Sequence, residues 1–212
     1  MSTSPLTISL CVPYCDQQDA IRAGARYSDA AGYFVAPTDY LDSVWQWLPL
    51  MYKYPDKPAL LPEMLPVDSW ERNLRLKVSD SQWDAIRRHS YALVGYRCGI
   101  CGNKGRPSLE CHEHWEFDDL WCVQTMTGLL SLCPLCHKAH HLGIARRLGM
   151  YDEVTQHIMK INRWNHAQLE DAVTHAKRVA DERNRYGWAV DLSWLSTSDF
   201  RQIAERATDR FR

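Results

Sequence analysis

The block from Cys98 to His141 reads Cys98-Gly-Ile-Cys101, then Leu109-Glu110-Cys111-His112-Glu113, then Leu132-Cys133-Pro134-Leu135-Cys136-His137-Lys138-Ala139-His140-His141. Two C-x-x-C knuckles thus bracket a histidine-rich centre. Zinc takes four ligands in a tetrahedron, and two such knuckles supply them. Cys98, Cys101, Cys133 and Cys136 are therefore expected to hold a structural zinc. Gly99 and Gly102 suit tight turns beside the first pair, and Pro134 suits the first position of a helix that begins at the second.

The histidines define a second cluster. His137 and His141 are four residues apart, so on a helix both project from one face. Cys136 and His137 point about 100° apart around that helix, which lets the cysteines face one ion and the histidines another. Residues 109–113 read as a strand, and Gly128-Leu129-Leu130-Ser131-Leu132 as its partner running into the helix. A strand–strand–helix unit would bring His112 opposite His137 and His141. Three imidazoles around a second divalent ion (Mg, Mn or Zn) leave room for a water and a phosphate oxygen. Glu113, next to His112, is the expected base or water-orienting group. Taken singly each histidine is an ordinary surface or core residue, yet four of the nine lie in these two short clusters. His114 and His140 are expected to be exposed or to support the ligands from behind. Arg97, Lys104 and Arg106 flank the first knuckle and can donate charged hydrogen bonds to nucleic-acid phosphates.

The 212-residue chain is 45% hydrophobic, which is enough for a packed core, and its net charge is -1. That charge excludes a protein that holds nucleic acid by bulk electrostatics, so any such contact must be local. No apolar run is long enough to span a membrane and no signal-peptide pattern is present. A cytoplasmic location is expected, where thiols stay reduced and paired cysteines read as metal ligands. Of the other cysteines, Cys11, Cys111 and Cys122 are expected to pack in strands as small apolar residues, and Cys15 to be exposed. The nine tryptophans read first as core.

Outward from the metal block, residues 6–50 read as a small α/β unit. It has a strand at Ile8–Val12, a helix at Asp19–Arg26 with Asp16 as cap, a strand at Gly32–Pro37 and an aromatic helix or turn at Tyr40–Leu48. Residues 51–69 are proline-rich and read as a connector or surface arm. Residues 70–212 carry the metal block and helices. A helix is expected at Ser79–Tyr91, with Ser79 and Gln82 as a capping box. Others are expected at Asp152–Asn162, at Asn165–Tyr186 ending at Gly187, and at Ser198–Phe211. The fold class expected is α+β.

Cys98-x-x-Cys101, the His112-bearing strand and Cys133-x-x-Cys136-His137-x-x-x-His141 together resemble the HNH, or ββα-metal, nucleases of the zinc-knuckle type. In register, His112 takes the metal-ligand position and Glu113 the position where that family usually has a histidine base. Gly128 falls where the family has asparagine. More narrowly, the chain from about Trp70 to Leu195 resembles a bacterial group of HNH endonuclease-like proteins in which the His-Glu pair is the rule. The matching residues are Trp70-x-x-Asn73-Leu74-Arg75, Trp83-Asp84, Glu110-Cys111-His112-Glu113-x-Trp115, Gln124, Leu132-Cys133-Pro134-x-Cys136-His137, His141-x-Gly143, Asn162-x-Trp164 and Trp188. The N-terminal unit, through Val12-Pro13-Tyr14, Asp19-Ala20, Gly24-Ala25-Arg26-Tyr27, Gly32-Tyr33-Phe34-Val35-Ala36-Pro37 and Trp47-Leu48-Pro49, resembles a small domain of unknown function found in plasmid-type DNA primases.

These resemblances imply a metal-dependent endonuclease acting on nucleic acid, DNA first, in plasmid or phage DNA metabolism. The alternative is a catalytically inactive, zinc-stabilised module that binds nucleic acid or protein. Such a module would suit a mobile-element regulator or inhibitor, with a host or plasmid protein held through Tyr33, Phe34, Trp45 and Trp47. The absent family histidine and asparagine and the near-neutral charge favour that alternative.

Overall fold

The computed structural model describes residues 6–54, 56–104 and 109–196. The helix expected over Ser198–Phe211 and the phosphate contact expected from Arg106 lie outside the described residues. The chain is α+β, as its patterning implies.

The first unit is built on β1 (Thr7–Ser9), α1 (Gln17–Arg22), β2 (Arg26–Ser28) and β3 (Tyr33–Pro37). Both outer strands pair antiparallel with β3. Alternation along β3 turns Phe34 and Ala36 inward, where they pack with Ile8, Leu10, Val44 and Trp47. Asp16 stands at the N-cap of α1, as expected, but its side chain makes no capping hydrogen bond. Its carboxylate instead accepts a 3.0 Å hydrogen bond from the Trp47 indole, because a buried indole N–H needs an acceptor. Phe34 and Trp47 are core, whereas Trp45 is exposed.

The unit docks on the first knuckle. At the start of α2 (Leu50–Lys53) the amides of Leu50 and Met51 donate to the carbonyls of Gly99 and Ile100 at 2.8 and 3.0 Å. These are the amides that a helix leaves without internal partners. Gly95 has φ of 57°, and a side chain there would meet the Val12 carbonyl at 2.1 Å, so only glycine allows the approach.

The proline-rich connector is a bound arm and not a free linker. The Asn162 side chain accepts from the amides of Ala59 and Leu60 at 2.9 and 3.0 Å and donates to the Leu60 carbonyl at 2.6 Å. Leu60 is fully buried among Ile100, Leu132 and Ile158. Asn162→Ala will strand these backbone groups, and the expected loss is about 1–3 kcal/mol in urea unfolding. An unchanged midpoint would mean that the arm detaches at no cost.

The second half begins with α3 (Asp80–Leu93), which carries the expected Ser79–Gln82 capping box and buries Trp83, Ile86 and Ser90. The long strands β4 (Glu110–Asp118) and β5 (Val123–Leu132) pair antiparallel, and β5 leads straight into α4 (Pro134–His140) with Cys133 as N-cap. Helices α5 (Leu142–Arg147), α6 (Tyr151–Asn162) and α7 (His166–Arg183) follow, and β6 (Ala189–Asp191) adds in parallel to β5, leaving β4 at the edge. Asn165 and Gln168 cap α7. The helix stops at Arg183, short of the expected Tyr186. Beyond it the Trp188 backbone amide donates to Asp68 and its indole donates to the Arg183 carbonyl, and Trp188 is 2% exposed. Burial of that large ring outweighs one more helical turn.

The register sets the two faces of the hairpin. Glu110, His112 and His114 pair with Leu132, Leu130 and Gly128 on one face, and Cys111, Glu113 and Trp115 pair with Ser131, Leu129 and Met126 on the other. Ser131 meets Ser90 of α3 at 2.8 Å, so α3 covers the second face, while α4 lies over the first.

Candidate metal centre

Cys98, Cys101, Cys133 and Cys136 are all buried, and their sulfurs lie within 4.8 Å of one another. The Cys101–Cys133 pair is 3.8 Å apart. Zinc–sulfur bonds of about 2.3 Å at tetrahedral angles put sulfurs about 3.8 Å apart, so these residues can bind a structural metal such as zinc. Donation from neighbouring thiols, Cys101 first, holds the Cys98 and Cys133 thiols below the usual range. Those same contacts push Cys101 and Cys136 up. Without a cation, four sulfurs this close cannot all ionise. His157 of α6 lies 3.2 Å from the Cys136 sulfur through Nε2, a partner that steadies the ligand and that spacing did not reveal.

None of the remaining cysteines places its sulfur in the cluster, although the buried Cys11 thiol donates to the Cys98 carbonyl at 3.6 Å. Cys11 and Cys111 behave as packing residues, each pushed up to about 12 by burial. Cys15 is exposed. Cys122, expected in a strand, sits in the turn after β4 with φ of 51°.

The second cluster forms on the α4 face of the hairpin. His112 is 4% exposed, and its ring lies 5.4 Å from that of His137 and 5.0 Å from that of His141; the latter two are 4.8 Å apart. Nitrogens of all three lie within 4.8 Å of one another, close enough for one cation. His141 stands at the junction of α4 and α5 rather than inside a helix, and its imidazole still converges. Burial and the neighbouring imidazoles hold His137 below its ordinary value and His141 down to about 3. Both rings are thus uncharged near neutral pH, the form that binds a metal.

Two neighbours, Glu110 and Glu63, were not legible in these roles, and a third, His140, was expected only as exposed or as support behind the ligands. Glu110 Oε2 pairs with His137 Nδ1, fixing the ring and leaving Nε2 for a ligand bond. Glu63, from the connector, places Oε2 at 3.1 Å from His112 Nε2 and at 3.7 Å from His140 Nδ1. His140, expected outside the ligand set, stacks on His112 at 4.5 Å. Glu63, His112 and His140 form a second set able to grip a cation, so His112 belongs to both.

Two expected site residues are engaged by other groups, although Glu113 lines the same cavity as the histidines. Glu113 points to the opposite sheet face from His112, as strand alternation requires. Its two carboxylate oxygens accept from the amides of Leu74 and Arg75 at 3.0 and 3.1 Å. Burial pushes its pKa up, and those two amides pull the other way. Glu113 thereby anchors the turn at 74–76. Arg97 is 5% exposed, with its guanidinium 3.8 Å from the Tyr33 ring centroid and its pKa pulled down by burial. It joins the N-terminal unit to the knuckle and is not presented to a phosphate. Lys104 is exposed, bridged to Arg97 through the backbone, and does not line the cavity described next. His114 is exposed and bonds Thr127 at 2.7 Å.

A cavity of about 770 Å³ wraps around the open edge of β4. It reaches His112, His137 and His141 at one end, and two exposed arginines, Arg75 and Arg147, line it. Among the described residues no helix is long and apolar enough to cross a membrane. Comparisons with protein-family models, with curated proteins and with solved structures find no match.

Proposed function

We propose that the protein is a metal-dependent nuclease that hydrolyses nucleic-acid phosphodiesters, DNA first, in the manner of the HNH enzymes its motifs resemble. The convergence of His112, His137 and His141 on one point, at the end of a large cavity, carries this reading. A divalent cation held there would make a coordinated water more acidic and polarise the phosphodiester. Glu110 orients His137, and the depressed pKa values of His137 and His141 keep those rings neutral and available. Glu63 is the carboxylate beside the cluster, positioned to take the proton of an attacking water at Oε2. Arg75 and Arg147 supply donors for the flanking phosphates.

Glu63 and Glu113 are separable. With Mg or Mn supplied, the parent is expected to cut plasmid DNA. Glu63→Gln is expected to lower the rate about a hundredfold, a usual contribution of a general base, with the melting temperature unchanged. Glu113→Gln, which turns one amide-accepting oxygen into a donor, is expected to cost about 1–3 kcal/mol of stability and to leave the rate within tenfold. The reverse pattern would return the base to Glu113.

A binding module without turnover is the second reading. The near-neutral net charge favours it. One firmly held zinc per chain, no second ion retained and no cutting with any divalent ion would establish it.

A further inference from the structure

The far end of the cavity has features that phosphodiester hydrolysis does not need. Ser69 is 4% exposed and Gln124 is 1% exposed, and both line the cavity. Neither the Ser69 hydroxyl nor the Gln124 carbonyl oxygen has a hydrogen-bond partner. Buried polar groups are almost always paired, and these two unpaired oxygens, themselves covered in this conformation, belong to residues that line one cavity, so a ligand there would pair them once their side chains turn toward it.

Three indole rings line the same cavity. Trp83 and Trp115 are buried, while Trp70 stays 61% exposed although it lines the same space. A flat heterocycle with N–H groups at its rim satisfies both features: it stacks on indole and donates to the two oxygens. Nucleobases are such rings, and all of them carry N–H on the pairing edge. In a duplex that edge is occupied, so only an unpaired base can use this end. The volume lies in the usual range for ligand sites.

We propose that the cavity seats one unpaired base of the nucleic-acid substrate. The base stacks on Trp70 and hydrogen-bonds to Ser69 and Gln124, and its backbone is directed past Arg75 toward the histidine cluster. This rests on the nuclease reading and narrows its substrate to single-stranded, frayed or flipped-out nucleotides.

The test is binding by the full-length protein with no divalent ion added, so that cutting does not enter. The probes are a fluorescein-labelled single-stranded DNA oligonucleotide and the same sequence as a blunt duplex, followed by anisotropy. The single strand is expected to bind about tenfold more tightly. Trp70→Ala is expected to weaken single-strand binding about fivefold or more, the loss of one base stack. Ser69→Ala is expected to weaken it a few-fold without lowering the melting temperature, because that hydroxyl has no internal bond to lose. Neither substitution is expected to move duplex binding. Equal affinity for both probes, or single-strand binding unaltered in both variants, overturns the proposal. Cutting without this binding pattern removes the base pocket alone. The binding pattern without cutting removes the hydrolytic reading alone.

Discussion

Cys133→Ser combined with Cys136→Ser will yield a chain that neither retains zinc nor melts cooperatively. The four thiolates are part of the main core, packed with Leu60, Ile100, Leu132, Ala139 and Ile158. Structural zinc contributes about 10–16 kcal/mol of apparent binding energy in small zinc domains, whereas a whole domain is stable by about 5–15 kcal/mol. Losing the metal should therefore cost as much as the fold has to lose. Loss of the knuckle would also free the two carbonyls that receive the α2 amides, loosening the N-terminal unit. Elemental analysis should give at least one zinc per parent chain and near-UV circular dichroism should show its packed aromatics, and both signals should vanish in the variant. A variant with parental ellipticity and a sharp melting transition would show that these sulfurs are ordinary core atoms.

The second large effect is at His112. His112→Ala is expected to lower cleavage at least a thousandfold, the scale of removing a metal-borne term of several kcal/mol from the barrier. This is the one imidazole common to both candidate ligand sets, so no rotation of the others replaces it. The thiolate site lies apart, and zinc content should stay at the structural level. His141→Ala should match His112→Ala, and His140→Ala should fall no more than about tenfold. The opposite order would hand the cation to Glu63, His112 and His140. Parental cutting by His112→Ala would sink the nuclease reading altogether.

These two predictions draw on different kinds of information. The thiolate ligands could be read directly, because a C-x-x-C turn aims two sulfurs at one point by local geometry and reduced thiols have few other reasons to pair. The hairpin and its helix were legible for the same reason: the strands expected at 109–113 and 128–132 fall, Leu109 apart, within the longer pair Glu110–Asp118 and Val123–Leu132, and Pro134 opens the helix, as short-range rules require. Those rules also carried the convergence of His112 with His137 and His141, since a ββα turn leaves little choice of partner.

Residues whose roles depend on distant partners were not legible. Glu63 reaches His112 across 49 positions and Asn162 reaches the arm across more than 100, and no periodicity encodes either contact. His157 meets Cys136 only because α6 packs on α4. Arg97 reads as a surface cation until Tyr33 covers it. Glu113 reads as a base until alternation along β4 turns it from His112 toward the amides of Leu74 and Arg75. Local spacing decides which atoms a short segment can aim together, and the sequence by itself therefore determined the sulfur cluster, the hairpin–helix unit and the histidine face. Which carboxylate stands beside that face, and which arginine stays in water, depended on how separate segments bury one another, and only the tertiary structure decided it.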